Sequence, residues 1–257
     1  MKRKYLLKKD SEDLRDYSYR SIIFKKATDL PKSVDLRSKM SPVVDQGELG
    51  SCTANAIVSG LREYLEIITG QSLVRLSRLF LYYQERKLEN TVNEDSGAEI
   101  RDGMKVLNQI GVCPESDDPY DIRNFKQAPS AKAVTNAAQY EITEYHRILD
   151  LNGLKAALAE GLPVVFGFKV YESFESATVA KTGQVPAPKK GEQYLGGHAV
   201  LAVGYVDQEK SGGNVIVRNS WGNTWGDQGY FYMSYTVFKK LLMDMWTGHV
   251  ESIAPGK

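Results

Sequence analysis

The spacing of apolar residues changes character once along this chain, near Leu162, and that change limits the folds open to it. Before Leu162, apolar residues recur three and four positions apart, in segments that predict helices. After it, short apolar runs bounded by Gly, Pro, Asn or Asp predict strands. Helices that precede the strands, rather than alternate with them, favour an α+β fold of two lobes with a cleft between them.

Four helices are predicted before this change. The first begins at Ser51 and ends near Gly70, which stands where a C-terminal cap belongs. The second follows Ser77 as its N-cap. The other two cover about 99–109 and 151–160, each followed closely by a glycine. The four clearest strands are expected within residues 163–170, 198–206, 214–220 and 229–235.

The length of 257 residues suits one large domain or two closely packed lobes. Residues 1–30 are polar, dotted with tyrosine and without sustained periodicity, which is typical of an extension. We therefore predict a main domain over residues 31–257. Within it, about 31–135 should form a mainly helical lobe and about 136–257 a mainly β lobe.

Composition excludes several classes of partner. The net charge of +1 gives no overall attraction to nucleic acid or to an acidic membrane, and no apolar run approaches the ~20 residues of a membrane span. Two cysteines exclude a small disulfide scaffold. The basic N-terminus lacks the apolar run of a secretory signal, which slightly favours the cytoplasm and leaves export by another route open. We expect a monomer that binds neither nucleic acid nor membrane.

Three residues form a pattern that suits thiol chemistry. Cys52 lies in the first turn of the first predicted helix, where the helix dipole and free N–H groups lower a thiol pKa. His198 follows two glycines at the start of an apolar strand, and Asn219 ends another strand. A cysteine nucleophile, a histidine base and an asparagine that orients the histidine form a catalytic triad.

The segments around these residues resemble a known family. QGELGSCTA around Cys52, GGHAVLAVGY around His198 and NSWGNTWGDQGYF from Asn219 are similar to the three signature blocks of papain-like cysteine peptidases, in the same order. LPKSVDLRSKMSPVVDQG resembles the start of the mature domain, so the likeness runs from about Leu30 to the C-terminus. It implies a bacterial-type member with a short N-terminal extension. The implied fold has a helical N-terminal lobe, an antiparallel β-barrel-like C-terminal lobe and the active-site cleft between them.

The resemblance also implies roles for residues around the triad. Gln46 matches the glutamine that stabilises the oxyanion together with the Cys52 amide. Trp221 matches the indole that shields the bond between the asparagine and the histidine from water, and we include it among the substrate-binding residues. Gly97 and Ala98 match a strand that pairs with the substrate backbone, and Gly197 leaves little bulk on one wall of the cleft.

The chain departs from the family pattern at several points. Leu49 stands where the family usually has a disulfide cysteine, and Thr53 stands where a tryptophan usually follows the nucleophile. Cys113 is expected to be structural. The extension is far shorter than the usual pro-segment. His146 and His249 are expected at the surface or in structural positions, and the spacing of histidines and cysteines predicts no metal site.

These observations predict a cysteine peptidase, and more specifically an endopeptidase, that acts through a thioester on Cys52 and needs no cofactor. Two alternatives are open: a thioester acyltransferase or transamidase, and a peptide-binding protein without activity on the same fold. Two interpretations of residues 1–30 are also open. The extension either lies along the cleft and blocks it, which implies autoinhibition, or forms a mobile tail with a solvated lysine face.

Overall fold

The computed structural model describes residues 3–21, 23–24, 26–209 and 212–251. Four residues of the predicted extension, Met1, Lys2, Ile22 and Lys25, lie outside the described residues, as does the C-terminal segment 252–257. We call residues 3–21 the arm. None of the described helices is long and apolar enough to cross a membrane.

One long helix forms the centre of the molecule, and the cysteine of the predicted triad is its first residue. It begins as α1, Cys52–Ala54, passes through a π-helix over Asn55–Arg62 and ends as α2, Glu63–Ile68. Every residue from 52 to 66 is buried. Gly70 follows with a φ of 76°, as the capping pattern predicts. The π-helical part was not predicted; such segments occur frequently near functional sites.

The other three predicted helices are also present. Ser77 accepts a hydrogen bond from the Phe80 amide and caps α3, Arg78–Leu88. The remaining two are α4, Ile100–Gln109, and α6, Leu151–Ala159. Sequence patterns missed three helices because each spans only two turns or less and shows no full amphipathic period. They are α5 (Ala131–Ala137), α7 (Ala177–Thr182) and α8 (Tyr235–Leu241).

In the described part of the chain, eight strands form one sheet. Their order is β2-β8-β3-β5-β6-β7-β4, and β1 pairs separately with β5. Neighbouring strands are antiparallel except for β4 and β7, which run parallel. The strands are β1 (Ser33–Asp35), β2 (Glu144–Arg147), β3 (Val164–Tyr171), β4 (Gln184–Val185), β5 (Tyr194–Val206), β6 (Asn214–Arg218), β7 (Tyr230–Ser234) and β8 (Leu242–His249).

The predicted α+β class, with a helical part and an antiparallel sheet, is confirmed, and over the residues that the structure describes the sheet does not close into a barrel. Within the described residues, the end strands β2 and β4 do not pair with each other, so the sheet stays open. An alternating apolar pattern specifies which face of a strand is buried. It does not specify whether the last strand returns to the first.

Strand β5 lies between two parts of the hydrophobic core. Leu201 and Val203 belong to the cluster around the central helix, whereas Val200 and Ala202 belong to the cluster on the other face of the sheet. A strand buried on both faces has a near-continuous apolar sequence, which explains the run HAVLAV. His198, near the start of this strand, is thereby held on a rigid element next to the central helix.

The arm is not a free tail in this structure. Near its end, the amide of Tyr19 donates to the carbonyl of Arg147 at 2.8 Å, and the Arg147 amide donates to the Tyr17 carbonyl at 2.8 Å. The arm thus adds a short parallel pairing to β2, which is the edge strand of the sheet. Covering an exposed edge in this way protects its unpaired N–H and C=O groups.

Candidate active site

The first residue of the central helix is a fully buried cysteine. Cys52 has no exposed surface, and neither of the two cysteines forms a disulfide. The backbone N–H of Ala199 faces its sulfur, which places residue 52 directly beside the start of β5. The structure therefore places Cys52 next to the strand that carries His198.

His198 is oriented by a hydrogen bond to an asparagine. Its Nε2 lies 2.9 Å from Oδ1 of Asn219, and the Ser220 amide donates to the same oxygen at 2.9 Å. Because an amide oxygen only accepts, Nε2 carries the proton and Nδ1 of the neutral ring is a bare acceptor. Nδ1 is buried and has no partner among the described residues. The ring therefore has one fixed nitrogen and one available nitrogen, as a general base requires.

Trp221 covers this pair. Its ring stacks on that of His198 with a centroid distance of 5.2 Å and an angle of 28°. The indole is only 6% exposed, so water has little access to the bond between His198 and Asn219. The packing agrees with the shielding role that the family resemblance implies for this residue.

Gln46 is fixed at both ends of its amide. Its Oε1 accepts from the Ser220 hydroxyl at 2.6 Å, and its Nε2 donates to the Leu49 carbonyl at 3.0 Å. An amide nitrogen carries two hydrogens, so one N–H of Gln46 is left for a further acceptor. Ser220 thus joins the loop of Gln46 to the segment of Asn219.

The three backbone positions that were predicted to bind substrate all contact the arm. The Lys8 amide donates to the Ala98 carbonyl at 3.2 Å, and the Leu7 amide donates to the Gly197 carbonyl at 3.1 Å. A Cβ on Gly97 would lie 1.9 Å from an arm carbonyl oxygen, so only glycine allows this approach. These positions form the two walls of a cleft, and the arm lies between them.

Basic side chains of the arm pair with acidic residues between positions 45 and 95. Arg3 and Lys4 each lie 2.6 Å from a carboxylate, that of Asp45 and that of Asp95 respectively. Lys8 pairs with Glu89, the C-cap residue of α3. The side chains of Lys4 and Lys8 are 48% and 39% exposed, so they remain solvated, but each also forms an ion pair that was not predicted. Their acidic partners are more than 80 residues away along the chain, so the sequence gives no local sign of the pairs.

Two arm side chains lie over the rings of His198 and Trp221. The ring of Tyr5 meets that of His198 edge-on at 6.0 Å, and its hydroxyl donates to Glu175 at 2.6 Å. The guanidinium of Arg3 lies 5.2 Å from the ring centroid of Trp221. Since His198 has no exposed surface, the arm and the surrounding rings together close the site to solvent.

Burial changes the protonation of the pair. Burial raises the pKa of Cys52 to about 12, although the Ala199 amide favours the thiolate. Burial also lowers the pKa of His198 to about 4; the Asn219 hydrogen bond opposes this shift and the charge of Arg3 adds to it. At neutral pH both groups are therefore uncharged under the arm. The lowering expected from the helix N-terminus is outweighed by desolvation in this covered state.

Sequence reasoning missed two supporting groups near the nucleophile. The Thr53 hydroxyl donates to the fully buried Glu85 at 2.8 Å, and burial raises the pKa of this carboxyl well above its usual value. The Tyr120 hydroxyl bonds to Ser51 at 2.6 Å and to the Gln46 carbonyl at 2.9 Å. Thr53 stands where the family usually has a tryptophan. Its hydroxyl was the feature of the sequence that could have indicated a buried polar partner.

Comparison with known sequences agrees with this geometry. The family model described as "Papain family cysteine protease" matches residues 30–245. An uncharacterized peptidase C1-like protein of Acanthamoeba polyphaga mimivirus is 45% identical over 230 residues, which are 85% of this chain and 72% of that protein. Cysteine proteinase 3 of Entamoeba histolytica is 31% identical over 209 residues, 79% of this chain; the chain spans only 63% of that relative.

Solved structures match over most of the chain. Xylellain, a cysteine protease from Xylella fastidiosa, superposes with a TM-score of 0.85 and 42% identity, covering 97% of this chain and 98% of that one. The ragweed pollen cysteine protease Amb a 11, solved in its proform, has a TM-score of 0.69 and 27% identity. That match covers 91% of this chain and 63% of the ragweed chain.

Proposed function

This chain belongs to the papain family of cysteine proteases, and we propose that Cys52, His198, Asn219 and Gln46 carry out its reaction. Enzymes of this kind hydrolyse peptide bonds. Neither the acyltransferase nor the inactive peptide-binding protein is favoured, since the matched family and the named relatives are proteases. The observation that carries the assignment is the bond between His198 Nε2 and Asn219, which leaves Nδ1 bare.

In the proposed mechanism, the Cys52 thiol gives its proton to Nδ1 of His198 once the arm has left. The thiolate attacks the scissile carbonyl, and the oxyanion accepts hydrogen bonds from the Cys52 amide and from the free N–H of Gln46. His198 then protonates the leaving amine, which departs and leaves a thioester. Water, deprotonated by His198, hydrolyses the thioester and restores the thiol.

The path of the arm supports an endopeptidase. Arg3 and Tyr5 lie on the side of Trp221, whereas Leu6 and Lys8 lie beside the predicted substrate strand at Gly97 and Ala98. A peptide can therefore extend on both sides of the catalytic pair, as cleavage within a chain requires. Profiling a peptide library with residues 29–257 should reveal internal cuts, whereas removal of single terminal residues only would overturn this part of the proposal.

We also infer that the arm is autoinhibitory and that residues 31–257 form the peptidase domain. The arm fills the cleft with main-chain hydrogen bonds and ion pairs, and it holds Cys52 and His198 uncharged. A substrate has to displace it before it can reach the sulfur.

Replacing Gln46 with alanine tests the oxyanion role. Loss of one oxyanion donor typically lowers kcat by about 10²–10³-fold. We expect a fall of this size in Gln46→Ala with little change in KM, measured by peptide hydrolysis with residues 29–257. Gln127→Ala removes an exposed amide far along the chain and should leave kcat unchanged. Equal rates in the two variants would remove Gln46 from the mechanism.

The buried state of His198 predicts that acid loosens the arm. Under the arm the pKa of His198 is about 4, whereas an exposed imidazole titrates near 6.5. Because the pKa of His198 is lower in the covered state than in the open state, the covered state has its full stability above about pH 6.5. Its advantage falls towards pH 4, by up to about tenfold for each pH unit. Hydrogen exchange of the Leu7 and Lys8 amides, corrected for the intrinsic rate, measures this opening.

The control for this experiment compares Cys52→Ala with Cys52→Ala/His198→Gln, neither of which can cleave itself. Asp10 belongs to the arm, and burial raises its pKa to about 7; it acts in the opposite direction, because its neutral form is favoured while the arm is docked. That contribution is the same in both chains. The difference between their pH profiles therefore reports His198 alone, and identical profiles would refute its role in the opening.

A further inference from the structure

A second group of reactive side chains lies at the edge of the sheet, on strands that do not carry the catalytic residues. Glu144 is directly opposite His249 in the β2–β8 ladder, so their side chains share one face of the sheet. His146 is two residues beyond Glu144 on the same strand and points to the same face. The three side chains therefore converge, although residues 146 and 249 are far apart in the sequence.

The donor atoms of these three side chains lie close together without short direct bonds between them. Nε2 of His146 and Nε2 of His249 each lie 3.7 Å from the same oxygen of Glu144. The two imidazole rings are parallel within 3°, with centroids 6.1 Å apart. One donor atom from each of the three residues lies within 4.8 Å of the others. The distances of 3.7 Å are too long for hydrogen bonds, so direct bonding does not explain the convergence.

We propose that Glu144, His146 and His249 bind one divalent ion of the zinc class. Two imidazole nitrogens and one carboxylate oxygen are a donor set that zinc and its borderline neighbours prefer, whereas Ca²⁺ takes six to eight oxygens. Bonds of about 2.0–2.1 Å in a tetrahedron place donor atoms about 3.3 Å apart. Side-chain rotations that shorten the two 3.7 Å distances by a few tenths of an ångström, and that bring together the remaining pair of donor atoms, which lie within 4.8 Å of each other, would complete three coordination positions.

The surroundings leave room for an ion and for its fourth ligand. The group lines an open groove of about 720 Å³, whose other wall includes Tyr19 and Glu160. The side chains of His146 and His249 are 25% and 38% exposed, so solvent reaches both. Water can fill the fourth position. A bound ion would tie the edge strand β2 to β8, next to the place where the arm pairs with β2.

This site was not predicted from the sequence, where the scattered histidines suggested no metal ligands. The usual signal is a short spacing between ligands on one helix or turn. Here two of the ligands are brought together only by long-range strand pairing. The site is also separate from the catalytic thiol, which is itself a good zinc ligand, so the two have to be distinguished by experiment.

The test measures metal binding by the full chain carrying Cys52→Ala and no polyhistidine tag. Titration calorimetry with Zn²⁺ should give one ion for each chain, and Co²⁺ should give the visible spectrum of a low-coordinate complex. His146→Asn and His249→Asn should each weaken binding at least tenfold, since even the partners of metal ligands contribute about that much. Glu144→Gln should weaken binding in the same direction.

The matched control is Glu141→Gln, which removes the same charge from an exposed residue three positions before Glu144. It should leave the affinity unchanged. As a second readout, Zn²⁺ should raise the Tm of the Cys52→Ala chain and not that of its His249→Asn derivative, because binding to the folded state alone stabilises it. The proposal is overturned if no ion binds, or if binding survives both histidine substitutions unaltered.

Discussion

The Cys52→Ala chain should fold normally and cleave no peptide, with kcat/KM reduced by a factor on the order of 10⁶. Removing the nucleophile of a triad has an effect of this size, because the thioester can no longer form and the remaining residues have no covalent step to accelerate. The thiol contacts the Ala199 backbone and is fully buried, so alanine leaves a small cavity at the start of the helix. Hydrolysis of a peptide substrate by residues 29–257 measures the loss.

The other cysteine provides a matched control. Cys113 is also a free and fully buried thiol, and burial raises its pKa to about 12, as it does for Cys52. Its carbonyl accepts from the Ser77 amide, which places it at the start of α3 and not in the cleft. Cys113→Ala should lower stability modestly, by about 1–2 kcal/mol, and leave kcat unchanged. Turnover near that of the wild type in Cys52→Ala would refute the assignment.

Local sequence patterns were sufficient to predict the helices and strands that carry the proposed triad and the helix next to them. The cap at Ser77 and the glycine after the central helix determine where those helices begin and end. In the run HAVLAV, every residue after His198 is apolar because β5 is buried on both faces. Such signals act over a few residues, which is why they can be found in a single sequence.

Other features depend on contacts between distant segments. Glu144 pairs with His249 only because β2 joins the edge of β8, and no local signal specifies that register. The protonation of Cys52 was predicted from the helix dipole and a histidine partner, whereas the structure adds desolvation by burial, which raises the thiol pKa. The charge pairs of Lys4 and Lys8 were missed for the same reason, since their partners lie on the helical side of the cleft.

The sequence of the arm is compatible with both a segment along the cleft and a mobile tail, because it has no sustained periodicity. Its anchoring depends on isolated side chains and on backbone hydrogen bonds, which any sequence can form. Gly97 and Gly197 were assigned to substrate binding from the family resemblance, and the arm now lies against both. The walls of a cleft can thus be predicted from a family motif, while the segment that lies in the cleft cannot.

Substituting one buried leucine of the arm should open the cleft. Leu7 is 6% exposed, and its amide donates to the Gly197 carbonyl. Aspartate at this position loses the burial of a leucine, about 1.5–3 kcal/mol, and cannot be covered without desolvating its charge. The open population of Leu7→Asp should therefore rise by about 10–100-fold. The rate at which an irreversible epoxide inhibitor labels Cys52 in the full chain measures this population.

Leu14→Asp provides the matched control, since it makes the same change in the same arm at a residue that is 106% exposed. It changes the charge of the arm as much as Leu7→Asp does, but it removes no buried contact. A labelling rate that rises only in Leu7→Asp means that the arm blocks the sulfur by packing into the cleft. Equal rates in both variants and in the unaltered chain would mean that substrates reach Cys52 without displacing the arm, and autoinhibition would then be refuted while the peptidase assignment remained.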